Sequence, residues 1–366
     1  MSKASARPAG DSVVAKIIHQ PYIWAVVALL LLIVINLIKD PSYLGISVNS
    51  TTGNLSGNAI DILRASAPIM MIAIGMTLVI ATRGIDLSVG SVMAVSGAVS
   101  MEFMSTSGGS PGAAIGAAAL ALAISAVLGT VNGVLVSVVG LQPFITTLIT
   151  MLAGRGLAKV ITAGQNTSAT NEPFRWIANG TVLGFPVVFV IAAVIVAIVA
   201  VLVRRSALGL MIESIGINPK AARMAGIRPI GILIAVYIVS AVLAGIAGIF
   251  SVASVMTVEV AKTGLSAEMD AILAVVIGGT SLAGGKFSLT GSVIGALLIA
   301  TLDKTIVFLS IPSSATPAFK AAVIVIICLL QSQRVRALFA QRKARSTPSA
   351  PTPSEPASTR KEAVSA

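Results

Sequence analysis

Apolar runs of about 20 residues recur from residue 22 to residue 332, and a single sizeable hydrophilic stretch, Arg204 to Arg228, divides them into blocks 22–203 and 229–332. A run of that length crosses hydrocarbon as a helix, because its backbone groups must be paired within the segment itself. A transmembrane barrel would show alternating segments of about 10 residues instead. The fold class read from this pattern is an all-α integral membrane protein. Composition agrees: 56 % of residues are hydrophobic and only 10 % charged, and the mean hydropathy is +0.98, whereas a soluble domain carries roughly 25 % charged residues.

The dividing stretch carries Arg204, Arg205, Lys220, Arg223 and Arg228 against one acid, Glu213. It must lie in water, and its charge places it on the cytoplasmic side, where loops of membrane proteins collect Lys and Arg. Leu208, Met211 and Ile212 recur at helical spacing, and Ala221, Ala222 and Ala225 follow Pro219, so a short helix is expected against the bundle face, available to another protein.

The net charge of +12 collects in three places: residues 1–20, the central stretch, and residues 333–366. Charge so segregated records topology, and nucleic acid is not an expected partner. One Cys (Cys328) and one His (His19) exclude a disulfide framework and leave no metal or histidine-based catalytic site. No cofactor is expected.

Taken in order, residues 1–20 form a cytoplasmic N-terminal tail, and 21–203 a first membrane block of about six helices, near 22–37, 60–82, 87–105, 112–139, 143–163 and 182–203. Residues 204–228 form the cytoplasmic loop. Residues 229–332 form a second block of about four helices, near 229–254, 268–280, 288–311 and 318–332, and 333–366 a basic, partly disordered cytoplasmic tail. Ten spans put both termini on one side, and the excess of basic residues there makes the orientation N-in, C-in. The short eighth segment leaves room for a re-entrant piece. Segment 164–181 reads as a polar loop.

Gly112/Gly116, Gly129/Gly133 and Gly291/Gly295 have the spacing that lets helix backbones approach closely. A weak internal echo links residues 79–98 with 275–298: each runs apolar helix, Gly-rich polar turn, Gly-Ser-Val, apolar helix. Interrupted helices of this kind line cavities in transporters. They make Arg83, Gly84, Asp86, Ser88, Gly90, Gly278 and Gly279 pathway candidates. The turn GGTSLAGGKFS does not form a phosphate loop, because Thr280 stands at the first Gly position and Phe287 at the Ser/Thr. Lys286 is read as an inner-face topology residue.

Charges within spans cost about 2.5–3.5 kcal/mol each unless paired or wetted. Glu102, Arg155, Asp270 and Asp303, with Asp61, Arg64 and Lys304, fall in the outer half of their spans by helical rise. They are expected either to form structural ion pairs, Asp61/Arg64 being a local one, or to line a polar vestibule for a hydrophilic solute. No carboxylate stands convincingly at the midplane for ion coupling.

Residues 77–98 (TLVIATRGIDLSVGSVMAVSGA), 161–165 (ITAGQ), 216–227 (GINPKAARMAGI), 270–287 and 330–334 (LQSQR) resemble the permease subunits of ABC sugar importers of the ribose/xylose/galactofuranose class, over roughly 22–335. The 153–165 run and the LQSQR end are most similar to the galactofuranose members. The resemblance implies a type II-like importer permease that pairs with a second, identical or sister, permease subunit in membrane lipid. ATP-binding ABC subunits would dock below, and a periplasmic sugar-binding protein would deliver a monosaccharide from above. It also implies a coupling helix carrying Gly216, Asn218, Lys220, Ala221, Ala222, Arg223 and Gly226, and no enzymatic activity in this chain. An ion-coupled secondary carrier of a small polar solute is the competing expectation.

Overall fold

The computed structural model describes residues 22–48, 55–312 and 314–331. Both charged tails, His19 and segment 49–54 lie outside the described residues, as does the side chain of Cys328. A helix occupies each of the ten expected span regions: α1 (Ile23–Lys39), α2 (Asn58–Ala81), α3 (Val89–Ser107), α4 (Pro111–Ser137), α5 (Pro143–Ile161), α7 (Val187–Arg205), α10 (Pro229–Val255), α11 (Ala267–Ile277), α12 (Leu289–Phe308) and α13 (Thr316–Gln331). Six of these, α2, α4, α5, α7, α10 and α12, are long and apolar enough to cross a membrane.

Three shorter helices complete the described set. The central stretch folds as α8 (Leu208–Ile217) and α9 (Pro219–Met224), broken at Asn218. Within the segment read as a polar loop, α6 (Glu172–Asn179) forms instead. The Asn171 side chain accepts from Phe174 N and a proline sits in the first turn, while Phe174 and Ala178 are buried. A capped start and an apolar anchor outweigh the local polarity. Two-residue antiparallel ties join β1 (Ser47–Val48) to β2 (Leu55–Ser56), β3 (Thr167–Ser168) to β6 (Thr257–Val258), and β4 (Thr181–Val182) to β5 (Phe185–Pro186).

The helix starts follow local chemistry. Pro143 and Pro229 open α5 and α10, where a missing N–H costs nothing. Ser110 and Ser288 cap α4 and α12 through their hydroxyls. The core is built around α3, which is buried from Val89 to Met101 and packed by α4, α5 and α10. Its low hydropathy suits this place. Serines and glycines that would be poor against lipid permit close packing among helices.

Of the three glycine pairs, two make the expected backbone approach. Gly129 and Gly133 of α4 lie on α10: a Cβ on Gly129 would stand 2.6 Å from Tyr237 O, and one on Gly133 2.8 Å from Ile234 Cα. Gly291 and Gly295 of α12 press on α11, where added methyls would collide with the Gly278 and Ala274 carbonyls. Gly112 and Gly116 do not bring backbones together. Gly116 faces the Phe103 ring, and Gly112 meets only Ser110 of its own cap.

Candidate functional site

One end of the bundle carries α8 and α9. Asn218 separates them: extended itself, it caps α9 by accepting from Lys220 N at 3.0 Å and Ala221 N at 3.1 Å. Gly226 ends the turn at φ +85°, a left-handed backbone that L side chains rarely adopt. Ala222 is buried beneath the helix. Lys220, Ala221, Arg223 and Met224 face solvent, Met224 at 91 % exposure beside a 59 % exposed Ile217. Of the residues that the family resemblance singles out, Gly216 and Ala222 therefore seat the helix, and the others are presented outward.

Directly beneath this surface the two Gly-rich turns of the internal echo meet. Gly285 N donates to Ala81 O at 2.9 Å. Arg83, exposed and at φ 66°, donates Nε to Ala283 O at 3.0 Å and Nη2 to Ile217 O at 2.8 Å. Gly216 is so close that a Cβ there would strike Ala81 O and Gly285 N. Gly279, at φ +89°, turns the chain out of α11. Lys286 is exposed at the same end.

Deeper in, the loop 82–88 between α2 and α3 is fixed by its carboxylate. Asp86 is buried and accepts from Ser88 N at 3.0 Å, Ser88 Oγ at 2.5 Å and Ser240 Oγ at 2.9 Å. Ser88 Oγ in turn accepts from Asn132 Nδ2 at 2.9 Å, and Asn132 Oδ1 accepts from Thr150 Oγ1 at 2.6 Å. Thr147 also donates to Ile85 O at 3.0 Å. One carboxylate thus ties the loop to α4, α5 and α10. Gly84 lies against the Tyr237 hydroxyl, which has no hydrogen-bond partner among the described residues.

At the start of α3, Gly90 lies against Gly264 O and Glu268 Oε2. Arg155 of α5 closes the same spot, donating to Thr263 O and Gly264 O at 2.6 Å each. Gly90 and Arg155 are therefore neighbours, and Glu268, which attracts Arg155, joins them. Glu268 carries no motif in the sequence, and only its place in the first turn of a short helix could have marked it.

Toward the opposite end the remaining charges pair across helices. Lys320 of α13 meets Asp270 and Asp303 at 2.9 Å each, and Lys304 meets Asp61 at 2.6 Å, with Arg64 3.7 Å from the same carboxylate. Glu102 accepts from Thr167 Oγ1 at 3.3 Å. Sequence reasoning missed Lys320, the cation that joins two of its candidate carboxylates. Asp61 and Arg64, with Ser251 and Ser254, contribute the polar groups of a cavity of about 330 Å³ whose wall is otherwise apolar, with Pro68, Val188 and Phe250, within the size range of small-molecule pockets. Among the described residues no group of three or more His, Cys, Asp or Glu is placed to hold a metal ion.

A helical bundle with six helices long and apolar enough to cross a membrane is that of a multi-pass inner-membrane transport subunit. Residues 58–329 match the family described as the branched-chain amino acid transport system / permease component, and the chain belongs to that family. It is 53 % identical over 92 % of its length to a fructose import permease protein of Bifidobacterium longum, covering 95 % of that protein. It is 40 % identical over 84 % of its length to a galactofuranose transporter permease protein of Escherichia coli, covering 89 % of it. With a ribose import permease protein of the same organism it shares 37 % identity over 85 % of its length and 93 % of that protein. No solved structure matches.

Proposed function

We propose that this chain is the translocating subunit of an ATP-driven importer, carrying a monosaccharide across the inner membrane by alternating access. The observation that carries this reading is the α9 surface: a capped helix presenting Lys220, Ala221, Arg223 and Met224 to solvent over a buried Ala222. Such a surface is of no use to a self-sufficient carrier and fits a separate ATPase subunit below. The sugar class follows from the names of the relatives, which import fructose, galactofuranose and ribose. A neutral sugar offers hydroxyls and no charge, so a bundle with few charges, most of them bonded internally, suffices, and selectivity is left to a periplasmic binding protein.

In this reading the chain crosses the membrane ten times with both termini in the cytoplasm. Residues 1–20 and 333–366 are the cytoplasmic tails, 21–203 and 229–332 the membrane blocks, and 204–228 the coupling loop. A second permease subunit pairs with this one in the lipid. ATP closes the motor below, α9 moves with it, and the bundle exchanges an outward for an inward opening. Asp86, Ser88, Gly90 and Arg155, with Gly84, Gly278 and Gly279, shape the interrupted layer that the solute passes, and Glu102, Asp270 and Asp303 lie on its outer side.

The test is co-purification in mild detergent. Met224→Glu places a charge on the exposed apolar tip without touching the core, and should lower recovery of the ATPase subunit by roughly tenfold or more, as loss of an apolar anchor of an interface does. Insertion and yield should be unchanged. Full recovery of the ATPase with Met224→Glu, or uptake that a proton uncoupler abolishes while ATP is intact, would favour the ion-coupled carrier.

A further inference from the structure

We infer that Arg83 is the positioning residue through which movement of the docking helix reaches both interrupted turns of the bundle. The guanidinium bonds two backbone carbonyls on two different segments: Ile217 O, immediately before the Asn218 cap of α9, and Ala283 O, in the turn between α11 and α12. Arg83 itself belongs to a third segment, the turn between α2 and α3. The planar fork of an arginine holds two acceptors in fixed relation, which a single ammonium does not.

The surroundings make this junction stiff. Gly285 N donates to Ala81 O, and Gly216 and Gly284 pack so tightly that a Cβ on either would collide with this junction. Three residues beyond Arg83 the same loop is fixed to α4, α5 and α10 through Asp86, Ser88, Asn132, Thr150 and Ser240. A displacement of Ile217 therefore pulls on a loop whose other side is bolted into the buried centre. Arg83 adopts a left-handed backbone, φ 66°, where glycine would be unstrained. Here an arginine side chain is held at a position whose backbone alone does not favour one.

The inference rests on the reading of α9 as the docking helix, and the experiment separates the two. The full complex, permease with its ATPase subunits in lipid nanodiscs, is compared by hydrogen exchange without nucleotide and with ATP plus vanadate. In the native chain, exchange should change in segment 213–228 and also in 80–88 and 278–288. In Arg83→Gly, which relieves the backbone rather than straining it, the change in 213–228 should persist, while that in 80–88 and 278–288 shrinks by roughly two- to thirtyfold, the range of coupling carried by one residue. Arg83→Lys, able to hold one carbonyl at a time, should fall between. Thermal midpoints of the variants, read alongside, should match the native chain. Equal nucleotide responses in all three segments of Arg83→Gly would overturn the role of Arg83 and leave the docking helix standing. No response in 213–228 of the native chain would overturn the docking reading itself.

Discussion

Lys320 shows what a single residue does in this bundle. It stands between Asp270 and Asp303, with a side chain only 18 % exposed. Removing one member of such a cluster leaves charge without compensation, and here it leaves two carboxylates facing each other. Lys320→Met should lower stability by about 3 kcal/mol, read as a fall in thermal midpoint in detergent. Lys320→Arg should keep most of it, and adding Asp270→Asn and Asp303→Asn to Lys320→Met should restore much of the loss. If Lys320→Met melts like the native chain, the cluster is not structural. The sequence marked both carboxylates by their cost in hydrocarbon. It did not mark their partner, because Lys320 sits 50 residues from Asp270 and at a helix start, where a cation draws no notice. The link between Lys304 and Asp61 was invisible for the same reason, whereas Asp61 with Arg64 lay within one helical turn.

At the scale of elements, glycine spacing predicts where helices touch, and substitution can test it. Gly278→Ala or Gly295→Ala would drive a methyl into backbone where α11 and α12 cross. Neighbouring backbone cannot swing aside as a side chain tip can, so each should cost about 1–3 kcal/mol. Gly156→Ala in α5 has nothing within 4 Å. It should be neutral or raise the midpoint slightly, since alanine favours helix by about 1 kcal/mol over glycine. Equal effects at Gly278 and Gly156 would refute the packing account. The six long apolar helices were legible because hydrocarbon imposes a length and a composition on each. Less legible was α6, whose eight residues are polar on average and are held by one asparagine cap and a buried phenylalanine. The break at Asn218 could be anticipated from Pro219. The meeting of the two Gly-rich turns could not, although their likeness was visible, because similarity of pattern says nothing about proximity.

For the whole molecule the decisive quantity is which end faces the cytoplasm, and the backbone constrains the answer more than hydropathy does. Helix α11 has 11 residues, about 16 Å of rise, roughly half of a hydrocarbon core. Taken alone it leaves the number of crossings open. Yet Gly285 N is bonded to Ala81 O and Arg83 to Ile217 O, so Lys286 and Lys220 share one end of the bundle whatever path the chain takes between them. Leu183, 95 % exposed in the turn between β4 and β5, is separated from Lys220 by α7, one of the six spanning helices. In a Cys328→Ser background, Lys220→Cys and Lys286→Cys should therefore react together with a membrane-impermeant maleimide in inverted vesicles and resist it in intact spheroplasts. Leu183→Cys should behave in the opposite way. Joint labelling of positions 220 and 286 from outside would invert the molecule and remove α9 from any cytoplasmic motor. Labelling of the two from opposite sides would mean that the junction of the two turns is not present in the membrane. The basic residues of 204–228 argue against the first outcome, and the backbone hydrogen bond between the turns argues against the second.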